Sequence, residues 1–153
     1  MPALEGVLSL PRRWPRFNDP ACGLLVLVRS PVVPPGGYLP TLALTVEPID
    51  HTELGQWRQA AQAELAGSLT SFEAEDEDTY DQLGHPTHYL RFAHRWRTHD
   101  LIGETWAWQP GEAGVVLSAT VARADYAEYC ELFEDVAATV DPLAATWLLS
   151  EAG

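Results

Sequence analysis

The spacing of apolar positions along residues 38–69 changes from two to three or four. Leu42, Leu44 and Val46 alternate with smaller residues, which is the pattern of a β-strand over residues 41–46. Beyond it, apolar residues spaced by three and four share one helical face: Leu54, Trp57, Ala61, Leu65 and Leu69. We therefore predict a strand followed by an amphipathic helix that packs on a sheet.

The corner between this strand and helix carries helix-start signals. Pro48 ends the strand's ladder because it has no N–H to donate. Asp50 is predicted as the helix N-cap, with Glu53 completing a capping box. Ile49 and Leu54 have the spacing of a hydrophobic staple. The helix is therefore predicted at residues 51–67.

Other segments repeat the strand pattern, and short turns between the last three predict an antiparallel meander. The further predicted strands are residues 6–10, 24–28, 72–78, 87–96, 101–109 and 115–121.

Two more helices are predicted near the C-terminus. Asp125, with Glu128 three residues later, has the spacing of a capping box for a helix at residues 125–140. Asp141 and Pro142 have the N-cap and N1 identities of a short terminal helix. The pattern as a whole predicts an α+β fold, an antiparallel sheet of five to seven strands with helices packed on it. We expect one domain over residues 1–153, with an irregular segment at 1–23.

Charge narrows the classes of partner. The 153 residues carry a net charge of -13, and all nine basic residues are Arg. Such a surface repels phosphate backbones and anionic lipids, so neither nucleic acid nor a membrane is expected as partner. The N-terminus lacks the pattern of a signal peptide, and no segment approaches the roughly 20 apolar residues of a membrane span. We therefore expect a cytoplasmic protein.

Cysteine and histidine usage bears on disulfides and metals. Cys22 and Cys130 are too few for a disulfide scaffold, so we expect reduced thiols, with a Cys22–Cys130 bridge as the alternative. His88 and His94 would lie about 20 Å apart on one strand, too far to share an ion. The acidic run at 73–81 lacks the glycine of an EF-hand loop. No metal or cofactor is therefore predicted.

Motifs for covalent catalysis are missing from the sequence. It contains no GxSxG, HExxH, GxGxxG or phosphate-binding loop. Cys130 lies among acidic residues, which disfavour its thiolate, and Cys22 has no base beside it. We predict no catalytic residues and expect a protein that is not an enzyme.

Acidic and aromatic side chains give two expectations, a cross-strand charge pairing within the sheet and a candidate interface with another protein. Glutamates at 73, 75 and 77 share one face of their strand and are expected to meet Arg91 and Arg95. Trp96, Trp106 and Trp108 cluster on neighbouring strands and are our candidate interface, with Trp106 and Trp108 on one face and Trp96 beside it. The alternative is that they fill the core beneath the helices.

Several short motifs resemble the PsbP-like superfamily of α/β/α sandwiches. They are YLPTLALTVEPID with the following LGQWRQAAQAEL, LGHPTHYLRF, ETWAWQPGEAGVVLSATVARADY and FEDVAATV. Thr41 stands where the family usually has Asn, and Thr105 where it often has Gln. Members include photosystem extrinsic proteins, a yeast Ran-binding import factor, DcrB-like and LpqN-type proteins and Eag-type secretion chaperones. The resemblance implies a binding role and no common active site.

Two functions remain open on these grounds. The first is a non-catalytic binding or adaptor domain, chaperone-like in character, acting through protein contacts that include a homodimer. The second is a small-molecule-binding protein or an enzyme with a pocket between sheet and helix.

Overall fold

The computed structural model describes residues 4–49 and 53–152. Within these residues seven strands form one antiparallel sheet in the order β1-β2-β3-β7-β6-β5-β4. This is the α+β architecture that the alternating segments predict. The strands are β1 Arg16–Asp19, β2 Leu24–Arg29, β3 Thr41–Pro48, β4 Thr70–Gln82, β5 His85–Trp96, β6 His99–Trp108 and β7 Ala113–Ala122.

Helices lie on both faces of the sheet. They are α1 Leu54–Ser68, α2 Tyr126–Ala138 and α3 Pro142–Ala152. Ala107 of β6 packs with Trp57 of α1, whereas its neighbours Trp106 and Trp108 pack with Phe133 of α2. Successive strand residues point to opposite faces. The sheet therefore has an α1 face and an α2 face, with α3 on the latter, and the whole is an α/β/α sandwich.

The α2 face carries the larger apolar core. Trp108, Phe133, Leu44 and Leu117 are all fully buried there. On the α1 face the buried cluster consists of Ile49, Trp57 and Ala107, with Leu54 packed against it. The contact of Ile49 and Leu54 with one cluster agrees with the predicted hydrophobic staple.

The helix starts follow the predicted caps only in part. Asp50 lies outside the described residues, and Glu53 occupies the N-cap position of α1 without a side-chain cap bond. Asp125 occupies the N-cap position of α2 as predicted, but its side chain makes no cap hydrogen bond, so it does not form the capping-box bond. Its buried carboxylate instead accepts the backbone N–H of Gly36, at 3.0 Å to Oδ2 and 3.3 Å to Oδ1. Asp141 does cap α3, since its Oδ1 accepts the N–H groups of Leu143 and Ala144 at 3.1 and 3.2 Å.

The predicted strand at residues 6–10 is wrong. Leu4–Gly6 is a 3-10 helix, and the next two residues are irregular. Val7 and Leu8 owe their apolar character to burial in the core. The Val7 carbonyl accepts the Asp141 N–H at 2.7 Å, which ties this segment to the start of α3.

β4 contains two irregularities that change which side chains meet β5. The register shifts between Thr70 and Glu73 and again between Ala74 and Asp76. Glu75 consequently reaches Arg91 as predicted, at 3.5 Å, but Glu77 points to the α1 face. There it lies 3.5 Å from Nε2 of His88. The expectation that all three glutamates share a face fails because a β-bulge inserts an extra residue.

Arg95, the second predicted partner, contacts Asp100 of β6 at 3.6 Å. No helix in the described residues is long and apolar enough to cross a membrane.

Candidate functional site

The three predicted interface tryptophans are not brought together on a surface. Trp106 and Trp108 are 3% and 0% exposed, because α2 and α3 cover them. Trp96 is 48% exposed. It lies an even number of positions from His88, which pairs with Ala107, so both are on the α1 face of the sheet. The structure therefore supports the core alternative for Trp106 and Trp108, and it separates Trp96 from them.

Two histidines of β5, His88 and His94, lie on the α1 face. His88 is buried and His94 half-buried, and Nδ1 of each has no hydrogen-bond partner. Burial lowers the pKa of both imidazoles, which favours the neutral ring. In the described part of the chain, no group of three His, Cys, Asp or Glu residues has the arrangement needed to hold a metal ion.

The most chemically distinctive feature is a cleft on the α2 face, which we call the acidic cleft. It encloses about 470 Å³ between strands β4, β5 and β6 and helix α2. Its lining residues are Asp76, Asp78, Tyr80, Gln82, Tyr89, Arg91, Glu104, Trp106, Tyr126, Cys130, Glu134 and Ala138. Four of these carry carboxylates and one, Arg91, carries a positive charge.

Glu104 forms the buried floor of the acidic cleft. Its side chain is on β6, and the residue is 4% exposed. Oε2 accepts hydrogen bonds from the Tyr89 hydroxyl and, at 3.1 Å, from the Tyr126 hydroxyl. Oε1 is equally buried and has no hydrogen-bond partner. A buried carboxylate oxygen without a donor is costly, so this atom is the most unusual polar group of the cleft.

The environment shifts the ionisation of the cleft's floor. Burial raises the pKa of Glu104, and the two tyrosine hydroxyls act in the opposite direction. Burial, followed by the bond to Glu104, raises the pKa of Tyr89. Burial also raises the pKa of Tyr126, so both tyrosines remain protonated donors to Oε2 at neutral pH.

Arg91 stands at the side of the cleft and is already engaged. Its Cζ lies 5.7 Å from the centre of the Tyr126 ring, and its Nε is 3.5 Å from Glu75. Glu75 also accepts a hydrogen bond from Arg123. These contacts hold the Arg91 guanidinium beside Tyr126 and Glu75. Against the larger effect of burial, its charge lowers the pKa of Glu104.

The rim on β4 is formed by aspartates that also bond to their own strand. Asp76 Oδ1 accepts the Glu77 N–H at 3.0 Å, and Asp78 Oδ1 accepts the Thr79 N–H at 2.9 Å. β4 is one of the sheet's two edge strands, and its residues from 73 to 81 are all exposed. Carboxylates bonded to edge N–H groups make the edge a poor template for another strand.

The period of two along β6 places Glu104 on the same face as Trp106, but that pattern alone identifies no site. The sequence did contain a signal for this site, namely one carboxylate between apolar residues of one strand face. A charged side chain at a core-facing position needs hydrogen-bond partners, so it marks either a polar network or a functional group. Tyr126 could not be linked to it, because the two residues meet only when α2 folds back over the sheet.

A second cavity, of about 660 Å³, lies on the α1 face between α1 and strands β4 and β5. Its walls include Gln59, Gln62 and Thr79, with His88 and Glu77 as its charged or titratable groups. The Glu77 carboxylate already lies beside His88. This cavity therefore offers fewer free charges than the acidic cleft.

Comparison with known proteins identifies the fold but assigns no activity. No protein-family model and no curated protein matches the chain. Among solved structures, a protein of unknown function from Pseudomonas aeruginosa, PA94, described as a putative regulator, superposes with a TM-score of 0.70 at 13% identity. The match covers 92% of this chain and 93% of that one.

Two further structures have the same architecture. The cyanobacterial PsbP protein, CyanoP, of Synechocystis sp. PCC 6803 has a TM-score of 0.64 at 11% identity, covering 92% of this chain and 89% of its own. LpqN of Mycobacterium tuberculosis, involved in cell envelope biogenesis, has a TM-score of 0.63 at 14% identity. This match covers 84% of this chain and 78% of LpqN. At sequence identities this low, the superpositions are evidence for the fold alone. The sandwich and these superpositions together establish that the chain has the PsbP-like fold.

Proposed function

We propose that this protein is a non-catalytic binding domain that holds a basic segment of another protein in the acidic cleft. The observation that carries the proposal is the lining of the cleft, with four carboxylates against the single, already engaged Arg91. Complementary charge is what steers and selects partners at protein interfaces.

The cleft's groups suit binding better than catalysis. Glu104 accepts from two hydroxyls that stay protonated, so neither tyrosine is positioned as a base. Cys130 donates its thiol proton to the Ala127 carbonyl at 3.6 Å, and no histidine lies among the lining residues to activate it. These arrangements hold charge in place rather than transfer a proton or group.

A foreign partner suits the cleft better than a second copy of this chain. The protein carries a charge of -13, and the rim carboxylates would face those of any copy that approached the same cleft. The tryptophan surface first considered for a homodimer is mostly buried. The alternative function, small-molecule binding, fits the acidic cleft only if the ligand is a cation that occupies the position proposed for the basic segment.

A defined peptide tests the proposal. The probe is an eight-residue peptide alternating Lys and Ser, acetylated and amidated, with Glu replacing Lys in the control peptide. We expect the Lys peptide to bind at low salt, the Glu peptide not to bind, and affinity to fall as salt rises. Isothermal titration calorimetry measures each affinity.

Matched double variants locate the binding. Asp78→Asn with Glu134→Gln removes two charges from the cleft, whereas Glu128→Gln with Glu131→Gln removes two from exposed positions of α2 outside it. The first pair should weaken binding about fivefold or more and the second should change it little. Equal losses in both variants, or no binding of the Lys peptide to the wild type, would refute the proposal.

A further inference from the structure

We propose that the floor of the acidic cleft is a recognition site for one alkylammonium group, and that the cleft therefore prefers lysine to arginine. The free acceptor is Oε1 of Glu104, a residue that lines the cleft, and this oxygen is buried and has no hydrogen-bond partner. This inference rests on the proposed function and names the side chain that the cleft selects.

The hydrogen bonds of Glu104 determine the preference. Guanidinium binds carboxylate best through two parallel N–H···O bonds, one to each oxygen. Here Oε2 already accepts from Tyr89 and Tyr126, so only Oε1 remains. A compact ammonium group can donate one of its three N–H bonds to Oε1 alone, whereas a guanidinium would have to displace a tyrosine hydroxyl to bond both oxygens.

Aromatic rings border the same space. Tyr89 and Trp106 lie side by side with ring centres 5.3 Å apart, and both line the cleft. Aromatic faces attract cations and also cover an alkyl chain. Tyr80 and Ala138 also line the cleft. The four methylenes of lysine fit such a lined approach to a buried carboxylate.

Charge at the rim complements the floor. Asp76 and Asp78 lie on β4, and Glu134 on α2, so carboxylates border both sides of the opening. A peptide carrying several cations would contact them while one ammonium reaches Glu104. The rim then provides general attraction for basic segments, and the floor provides discrimination between lysine and arginine.

The test compares the Lys–Ser peptide with an Arg–Ser peptide of equal length, each titrated into wild-type protein and into Glu104→Gln. We expect wild type to bind the Lys peptide several-fold more tightly. Glu104→Gln keeps the side-chain shape but removes the charge, so it should weaken the Lys peptide about tenfold or more and abolish the preference.

A second variant keeps the test decisive if Glu104→Gln does not fold. Tyr126→Phe removes one donor from Oε2 and opens a second acceptor site on the carboxylate. The ratio of the affinity for the Lys peptide to that for the Arg peptide should therefore decrease. An unchanged preference in Tyr126→Phe, or equal affinity of both peptides for wild type, would overturn the inference while leaving binding in the cleft intact.

Small probes separate a lysine side chain from a free amine as the natural source. n-Butylammonium chloride should bind wild type more tightly than n-butylguanidinium chloride, and it should compete with the Lys peptide. Binding of n-butylammonium without any binding of the Lys peptide would retain the ammonium site but refute the proposed protein partner. Failure of n-butylammonium to compete would count against the ammonium site itself.

Discussion

At the scale of single residues, Glu104 is the position where the chain departs most from a simple core. The alternation of β6 places it between Ile102 and Trp106 on a buried face, and the structure confirms the burial. A buried carboxylate is stabilised only when hydrogen bonds replace its lost hydration. The two tyrosine hydroxyls do this for one oxygen and leave the other open.

The raised pKa of Glu104 makes the stability of the fold depend on pH. Burial places the folded-state pKa above the ordinary value of 4.5, so the native state prefers the protonated acid. This contribution is fully present below that value and is lost as pH rises through the folded pKa. Relative to Glu104→Gln, which does not titrate, the wild type should therefore lose free energy of unfolding as pH increases.

Urea denaturation of both proteins between pH 4 and pH 8 measures this difference. The expected result is a Glu104→Gln variant whose stability relative to wild type improves with pH. A difference that stays constant across the range would mean that the carboxylate titrates normally.

Aromatic residues show what a pattern can and cannot decide. The shared face of Trp106 and Trp108 follows from their spacing and is confirmed. His88, Leu90 and Phe92 lie on the opposite face of the sheet. Whether a face is exposed depends on helices that lie far away in sequence. The alternation within one strand carries no information on that point.

At the scale of elements, α1 rests on the sheet through one main anchor. Trp57 is 9% exposed, its Nε1 donates to Glu47 Oε1 at 2.9 Å, and the Arg58 guanidinium stacks on its ring. Gly114 on β7 makes room for the indole, since a Cβ there would come within 2.5 Å of Trp57 Cζ2. The other predicted positions of the apolar face, such as Ala61 and Leu65, are only half-buried.

Trp57→Ala should therefore destabilise the protein by about 3–5 kcal/mol, the usual cost of removing a large aromatic side chain from a packed site. Trp147→Ala is the matched control, because Trp147 on α3 is 56% exposed. Its loss should change stability by about 0.5 kcal/mol or less. Chemical denaturation measures both, and similar losses for the two variants would contradict this description of α1.

The elements whose prediction failed have physical reasons for it. β1 is four residues long and fully exposed, so it has no alternation to detect. The bulges of β4 change register within a run of acidic residues that carries no apolar pattern to fix it. Asp125 has the identity of an N-cap, but a loop 89 positions earlier in the chain takes its carboxylate.

At the scale of the whole molecule, the sheet and its two helical layers follow from the sequence. The strands β2, β3, β5, β6 and β7 were each expected within a few residues of their bounds, and the antiparallel meander is present. Long periodic segments determine such an architecture because each must bury one face. The acidic cleft was not predictable in this way, since four separate elements contribute its walls.

The distribution of charge gives the molecule one distinctive surface. Many of its carboxylates lie on β4 and α2, the two elements that border the opening of the acidic cleft. Such concentration costs self-repulsion, which a basic partner would relieve. We therefore propose that a partner binds on the α2 face, beside β4, rather than on α3 or under α1.

The most direct test of this placement is a two-dimensional amide NMR titration of the wild-type protein with the Lys–Ser peptide. We expect the largest chemical-shift changes in β4, β5, β6 and α2, around Asp78, Tyr89, Glu104 and Glu134. Changes concentrated on α3 around Leu143 and Trp147, or along α1, would contradict it.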